Sequence, residues 1–226
     1  ELVRLPDGRP VRTMAANEAL KAKVYALLRK RVEFFKLDIG EGVQVDGWRI
    51  LPPDFDPARK YPLFVYVYGE PAGQTVQDNW GGSGYLWHLM LAQQGYVVAS
   101  FDNRGTPAPR GRAWRKSIYR QIGILASRDQ AAAVTAALAA WPYIDAERVG
   151  VWGWSGGGSM TLNAMFRYPG LYKAGISVAS VPDQRLYDTI YQERYMGLPN
   201  DNAEGYAKGS PITFAKDLKG RLLIVH

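Results

Sequence analysis

From residue 62 onward the chain alternates short, continuous apolar runs with helical stretches, and this alternation decides the fold class. Leu63 to Tyr68, Tyr96 to Phe101, Arg148 to Gly153, Ala174 to Val178 and Leu222 to Val225 are β-rich runs with little polar alternation. Strands buried on both faces read this way, and they belong to parallel sheets covered by helices. Tyr85 to Gln94, Asp129 to Trp141 and Gly156 to Tyr168 read as helices, stopped by Gly95, Pro142 and Pro169-Gly170. The resulting order of β, α, β, α, β, α, β, α, β predicts a doubly wound, mostly parallel α/β sheet. Ahead of it, Glu33 to Ile39 and Val43 to Leu51 flank Gly40-Glu41-Gly42, the signature of a hairpin that adds antiparallel strands at one edge. Residues 69–82 and 103–115, rich in Gly, Pro and Asn, are expected to be loops.

The first 15 residues are polar and broken by Pro6, Asp7-Gly8 and Pro10, and are expected to be loop or the edge of something missing. Asn17 and Glu18 suit a helix start, a side-chain cap followed by an acid matched to the helix dipole. Leu20, Val24, Leu27 and Leu28 then share one face, with Lys21, Lys23, Arg29, Lys30 and Arg31 largely on the other. The division expected is a tail and linker helix over 1–32 and an α/β domain over 33–226. The chain ends directly after the apolar run Leu222 to Val225, so this domain is expected to be C-terminally truncated, an excerpt of something longer.

Composition excludes several classes. The longest near-apolar run, Ala131 to Trp141, is far short of the roughly 20 residues of a membrane-spanning helix. Cysteine is absent, which excludes disulfides and thiolate metal sites. The 28 Lys and Arg against 21 Asp and Glu leave a net charge of +7, but the basic residues are scattered and no aromatic-basic pattern of nucleic-acid readers appears. No nucleic-acid partner is expected.

Gly153-Trp154-Ser155-Gly156-Gly157 matches G-x-S-x-G between a predicted strand and a predicted helix. That context is the one a nucleophile elbow requires. A tight turn there holds Ser155 in a strained conformation with its hydroxyl exposed, while glycines on either side let strand and helix approach. The Gly156 amide, at the helix N-terminus, can face a developing oxyanion. An ordinary Gly-rich turn or a phosphate cradle has a similar pattern, and the strand–turn–helix context favours catalysis. A serine nucleophile needs a base and an orienting acid, in this fold in the order Ser, acid, His. After Ser155 the only histidine is His226, the last residue, where it would precede the acid; His88 sits in a predicted helix and reads as structural. Asp183, Asp188, Asp201 and Asp217 remain, but none directly follows the sixth strand. The acid and the histidine are therefore expected outside this chain, which carries the nucleophile half of the charge-relay site.

Four segments together carry a family resemblance: Val67-Tyr68-Gly69-Glu70-Pro71; Ala99-Ser100-Phe101-Asp102-Asn103-Arg104-Gly105; Gly153 to Gly157; and Tyr187 through Tyr191 to Glu193-Arg194-Tyr195-Met196-Gly197-Leu198-Pro199. Over roughly residues 16–226 the chain resembles the catalytic domain of the prolyl oligopeptidase family of serine peptidases, its dipeptidyl peptidase IV branch above all. The resemblance implies an α/β-hydrolase fold, with Ser155 as the acylated nucleophile and Tyr68 and the Gly156 amide as oxyanion donors. It places Tyr187, Tyr191 and Val181 around the pocket for the penultimate residue, usually proline. If their segment is helical, Tyr187 and Tyr191 share a face.

The resemblance further implies a β-propeller, absent here, that precedes the hydrolase and caps its mouth, and release of N-terminal dipeptides with Pro or Ala penultimate. An acylaminoacyl peptidase, an esterase, or a non-catalytic binding protein of the same fold are the alternatives. Acyl transfer of this kind calls for no metal and no cofactor. The partner expected is a peptide substrate; a homodimer stays open, and a periplasmic or cell-envelope location is set ahead of a cytoplasmic one. Two features depart from the branch: Gly156 stands where a tyrosine often follows the serine, and an aromatic often present in the pocket wall is absent, with Gln184 nearby. Both reshape the pocket and loosen the expectation of strict proline preference.

Overall fold

The computed structural model describes residues 2–27 and 32–226, and the chain divides into two compact units, Glu1–Arg31 and Val32–His226. In the first, β1 (Leu2–Val3) and β2 (Pro10–Arg12) pair antiparallel, and α1 (Glu18–Leu27) follows. The short hairpin replaces the loop expected over 1–15. It closes because the Arg4 amide donates to the Arg9 carbonyl and the Gly8 amide donates back to the Arg4 carbonyl, with Arg4 ion-paired to Asp7. Asn17 opens α1 at φ +52°, accepting the Lys21 amide on its backbone carbonyl. Leu20 is exposed, and the Leu27 and Leu28 side chains and Arg29 to Arg31 lie outside the described residues.

The second unit is built on a seven-stranded sheet of order β3-β4-β6-β5-β7-β8-β9. Its strands are β3 (Glu33–Asp38), β4 (Gln44–Ile50), β5 (Tyr61–Tyr66), β6 (Val97–Asp102), β7 (Ile144–Trp154), β8 (Ala174–Val178) and β9 (Arg221–Val225). β4 pairs antiparallel with both β3 and β6 and so alone runs against the rest of this sheet; β6, β5, β7, β8 and β9 are mutually parallel. The β3–β4 turn is the expected one, with Gly40, Glu41 and Gly42 all at positive φ. The helices are α2 (Gly82–Gln93), α3 (Gly111–Lys116), α4 (Leu125–Ala140), α5 (Gly156–Arg167), α6 (Thr189–Met196) and α7 (Ala203–Gly209). Every residue of β6 is buried, and Val97, Val98 and Ala99 have no exposed surface. The core joins these strands to Ala133, Val134 and Ala137 of α4 and Met160, Leu162 and Met165 of α5.

Four expectations are corrected. The loop over 103–115 contains α3, whose Trp114 carbonyl accepts the Gly105 amide and so folds the segment back on itself. Helix α4 starts at Leu125, four residues before Asp129. That aspartate looked like a helix start because it is a charged residue ahead of an apolar run. It lies buried inside the helix because Arg104 meets it with Nε at 2.9 Å, Nη2 at 2.7 Å and its backbone amide at 3.1 Å. The strand expected at 148–153 runs from Ile144. The strand expected as buried over 222–225 is the sheet's edge strand, and Leu223, Ile224 and Val225 are about half exposed.

Among the described residues no helix is long and apolar enough to cross a membrane.

Candidate active site

β7 ends at Trp154 and α5 begins at Gly156, so Ser155 is the single residue of the turn. It adopts φ +58°, ψ −117°, a region costly for any residue with a Cβ. Its amide donates to the Val178 carbonyl at the end of β8, and its carbonyl accepts the Ser159 amide in the first turn of α5. The turn is possible because its flanking glycines touch the neighbouring strand. A Cβ on Gly153 would lie 2.4 Å from the Val67 carbonyl oxygen, and one on Gly157 2.2 Å from the same atom. Neither backbone can retreat, because Val67 itself is tied to β7 by its amide on the Trp152 carbonyl. Gly157→Ala is expected to destabilise the fold by about 2–3 kcal/mol, the cost of overpacking against fixed backbone. Thermal unfolding would register it, and an unchanged Tm would mean that the strand and helix are not held this tightly.

Tyr68 stands two residues past the end of β5, opening the loop that runs to α2. Asp102, the last residue of β6, and Asn103 after it hold that loop. Asp102 accepts hydrogen bonds from the amides of Thr75 and Val76 and from the Thr75 hydroxyl. Asn103 donates Nδ2 to the Gly69 carbonyl at 2.9 Å, between Tyr68 and Glu70, while Gln130 donates to Asn103 Oδ1. Arg104 is fixed by buried Asp129. Asp102 and Asn103, part of a motif with no assigned task in the sequence, are therefore the clamp that positions the Tyr68 loop, and Arg104 anchors the segment that follows them to α4. The Tyr68 ring packs on Gly73, where a Cβ would lie 2.6 Å from it. Burial, with Glu70 nearby, pushes the Tyr68 hydroxyl up to about 12, so it stays protonated and able to donate.

The cavity at this turn is lined by Ser155, Gly156, Tyr68, Val181, Tyr187 and Tyr191, every residue the sequence put forward, together with Glu70, Ser159, Gln184 and Gln192. Val181 is placed by its amide donating to the Ser159 hydroxyl, one turn into α5. Tyr187 and Tyr191 do meet, ring centroids 5.7 Å apart and edge-on, but not as one helical face. Asp188 caps α6 by accepting the Tyr191 amide, so the helix starts after Tyr187. Of the acids weighed, Asp188 is thus a helix cap and Asp183 pairs with Arg185; none of Asp183, Asp188, Asp201 and Asp217 lines the cavity. His88 lies apart, buried among the rings of Trp48, Tyr66 and Trp152 in a second cavity, with its pKa lowered to about 4 by burial.

Glu70 is the residue the sequence reading passed over. A Cβ on Gly156 would lie 2.8 Å from Glu70 Oε2 and 3.2 Å from Glu70 Cβ, so the glutamate fills the room that the glycine leaves. The Tyr191 hydroxyl donates to Glu70 Oε2 at 2.8 Å. Burial pushes the Glu70 carboxyl up to about 7 against the opposing pull of that hydrogen bond. The folded state therefore binds this proton more tightly than the unfolded chain, and stability falls as pH rises from about 4.5 to 7. Glu70→Gln is expected to leave stability unchanged at pH 4 and to raise it at pH 8, by up to about 3 kcal/mol. Thermal unfolding at both pH values checks this, and a variant less stable at pH 8 would contradict it. The signal available in the sequence was the pairing of a glutamate at 70 with a glycine at 156, legible only once the two loops are known to touch.

Comparison with known proteins agrees with this architecture. A family model described as the prolyl oligopeptidase family, Peptidase S9, matches residues 85–226. Dipeptidyl peptidase 4 of Trichophyton equinum is 34% identical over the whole chain, and a probable dipeptidyl peptidase 4 of Emericella nidulans is 36% identical. The chain spans 29% of the length of each. The crystal structure of Porphyromonas gingivalis dipeptidyl peptidase 4 superposes with a TM-score of 0.89 at 42% identity, covering 98% of this chain and 31% of that one. A putative dipeptidyl aminopeptidase IV from Bacteroides ovatus follows at a TM-score of 0.81 and 38% identity, covering 86% of this chain and 27% of that one. With the serine turn, the parallel sheet and the clamped tyrosine loop on one α/β-hydrolase scaffold, and a family model matched over more than half its length, the chain belongs to the prolyl oligopeptidase family.

Proposed function

We propose that the protein is a serine peptidase that releases dipeptides from free N-termini, and that these residues supply its nucleophile and oxyanion site. The observation that carries the proposal is Ser155 at φ +58° at the head of α5, in one cavity with Tyr68 and Gly156. Ser155 Oγ attacks the carbonyl of the penultimate residue and its proton passes to a general base. The Tyr68 hydroxyl and the Gly156 amide receive the negative charge that forms on the carbonyl oxygen. The leaving amine takes the proton, and water then frees the dipeptide from the acyl-enzyme. The base and its orienting acid are assigned to residues outside these 226, since His88 belongs to another cavity and no aspartate after Ser155 lines this one. Val181, Tyr187 and Tyr191 wall the pocket for the penultimate side chain, and the flat rings of the two tyrosines suit a small residue such as Pro or Ala. A preceding propeller that holds the substrate's free amino group completes the reading.

The test uses the full-length protein with a fluorophosphonate probe and two peptide sets, one with free and one with acetylated N-termini. Labelling of the wild type but not of Ser155→Ala, with dipeptides released only from free N-termini, is expected. Cleavage confined to acetylated peptides would replace this reading by an acylaminoacyl peptidase, and a folded protein that takes no label would end the catalytic reading.

A further inference from the structure

The pocket beside Ser155 has aromatic walls, but one side of it is polar. Glu70, pressed against Gly156, plays no part in the acyl-transfer steps, yet it lines the same cavity as the nucleophile. Its one hydrogen-bond donor among the described residues is the Tyr191 hydroxyl, and no described Lys or Arg forms an ion pair with it. Two more polar residues among its lining, Gln184 and Gln192, are more than nine-tenths buried. Gln184 Oε1 and Gln192 Nε2 find no partner among the described residues, although Gln184 Nε2 is satisfied by the Ile122 carbonyl. A carboxylate shielded from water and given one phenol donor is poorly compensated, and an unpaired buried acceptor costs free energy. An apolar side chain entering this pocket removes the remaining water from Glu70 and returns no hydrogen bond. A cationic side chain replaces that water with a charge-assisted hydrogen bond, the stronger kind.

We propose that Glu70 is a specificity-determining residue, which makes the pocket beside Ser155 accept lysine or arginine as the penultimate residue of the substrate. The proposal rests on the dipeptidyl peptidase reading above and extends its pocket from the small residues named there, Pro and Ala, to basic ones. Gly156 is the permissive half of the arrangement, because any side chain there would take the space of the Glu70 carboxyl.

The experiment measures kcat/KM of the full-length protein for Ala-Lys, Ala-Pro and Ala-Ala reporter amides, in the wild type and in Glu70→Gln. Fluorophosphonate labelling of Ser155 in each protein reports an intact nucleophile. The expected result is that the wild type cleaves Ala-Lys at least as well as Ala-Ala. In Glu70→Gln the ratio of Ala-Lys to Ala-Pro cleavage is expected to fall at least tenfold, with labelling unchanged. A Lys-to-Pro ratio within twofold of wild type in a labelled Glu70→Gln overturns the proposal. So does a wild type that cleaves Ala-Pro and Ala-Ala but not Ala-Lys, a result that needs no variant. A wild type that takes the label but releases no dipeptide from any of the three removes the dipeptidyl peptidase reading instead.

Discussion

Replacing Ser155 by alanine in the full-length protein is expected to lower kcat for dipeptide release by roughly 10⁵–10⁶-fold, the scale set by removing a nucleophile from a serine peptidase triad. The argument is positional. Ser155 alone connects β7 to α5, and its hydroxyl opens on the cavity shared by Tyr68 and the Gly156 amide. Alanine keeps the Cβ and so keeps the strain of φ +58°; stability should therefore hardly move, and the loss is chemical. Ser155→Gly separates the two effects further. It should be as inactive as the alanine variant yet more stable by about 1 kcal/mol, because glycine relieves that backbone conformation. Steady-state kinetics and thermal unfolding of the three proteins check this, and residual activity within tenfold of wild type would place the nucleophile elsewhere.

The second large effect is expected from Tyr68→Phe. The ring packs on Gly73, and its loop is held by Asp102 and Asn103, so phenylalanine preserves the packing and removes only the hydroxyl. An oxyanion donor acts on charge that exists only in the transition state. Its loss should lower kcat by about 10²–10³-fold and leave KM nearly unchanged. If instead KM rises and kcat holds, Tyr68 is a pocket wall and the charge is met by other donors. The elevated pKa of the hydroxyl, about 12 through burial and the neighbouring Glu70, implies that the donor stays protonated across the range in which such an enzyme is assayed.

Much of the molecule was legible in local patterns, and the reason is physical. Strands buried on both faces must be continuously apolar, so the parallel core announces itself in the runs from Leu63 and Val97. A one-residue strand-to-helix turn needs small neighbours, so Gly153 and Gly157 mark Ser155 in any sequence that makes it. Element ends were less legible where a side chain serves a distant partner. Asp129 looked like the start of a helix because its link to Arg104, 25 residues earlier in the chain, is invisible locally, and the real start lies four residues before it. Tyr187 and Tyr191 suggested one helical face, yet Asp188 caps the helix between them and the rings meet from different elements.

What the sequence determined by itself is the fold class and the strand–turn–helix that carries Ser155, because each rests on a short-range requirement of backbone geometry or burial; Tyr68, Val181, Tyr187 and Tyr191 were named by the family resemblance. What only the tertiary structure decided is the character of the pocket. Gly156 and Glu70 are 86 positions apart, and neither is informative alone. Folded together, the missing side chain of one makes room for the carboxyl of the other, and an aromatic-walled pocket acquires a charged side.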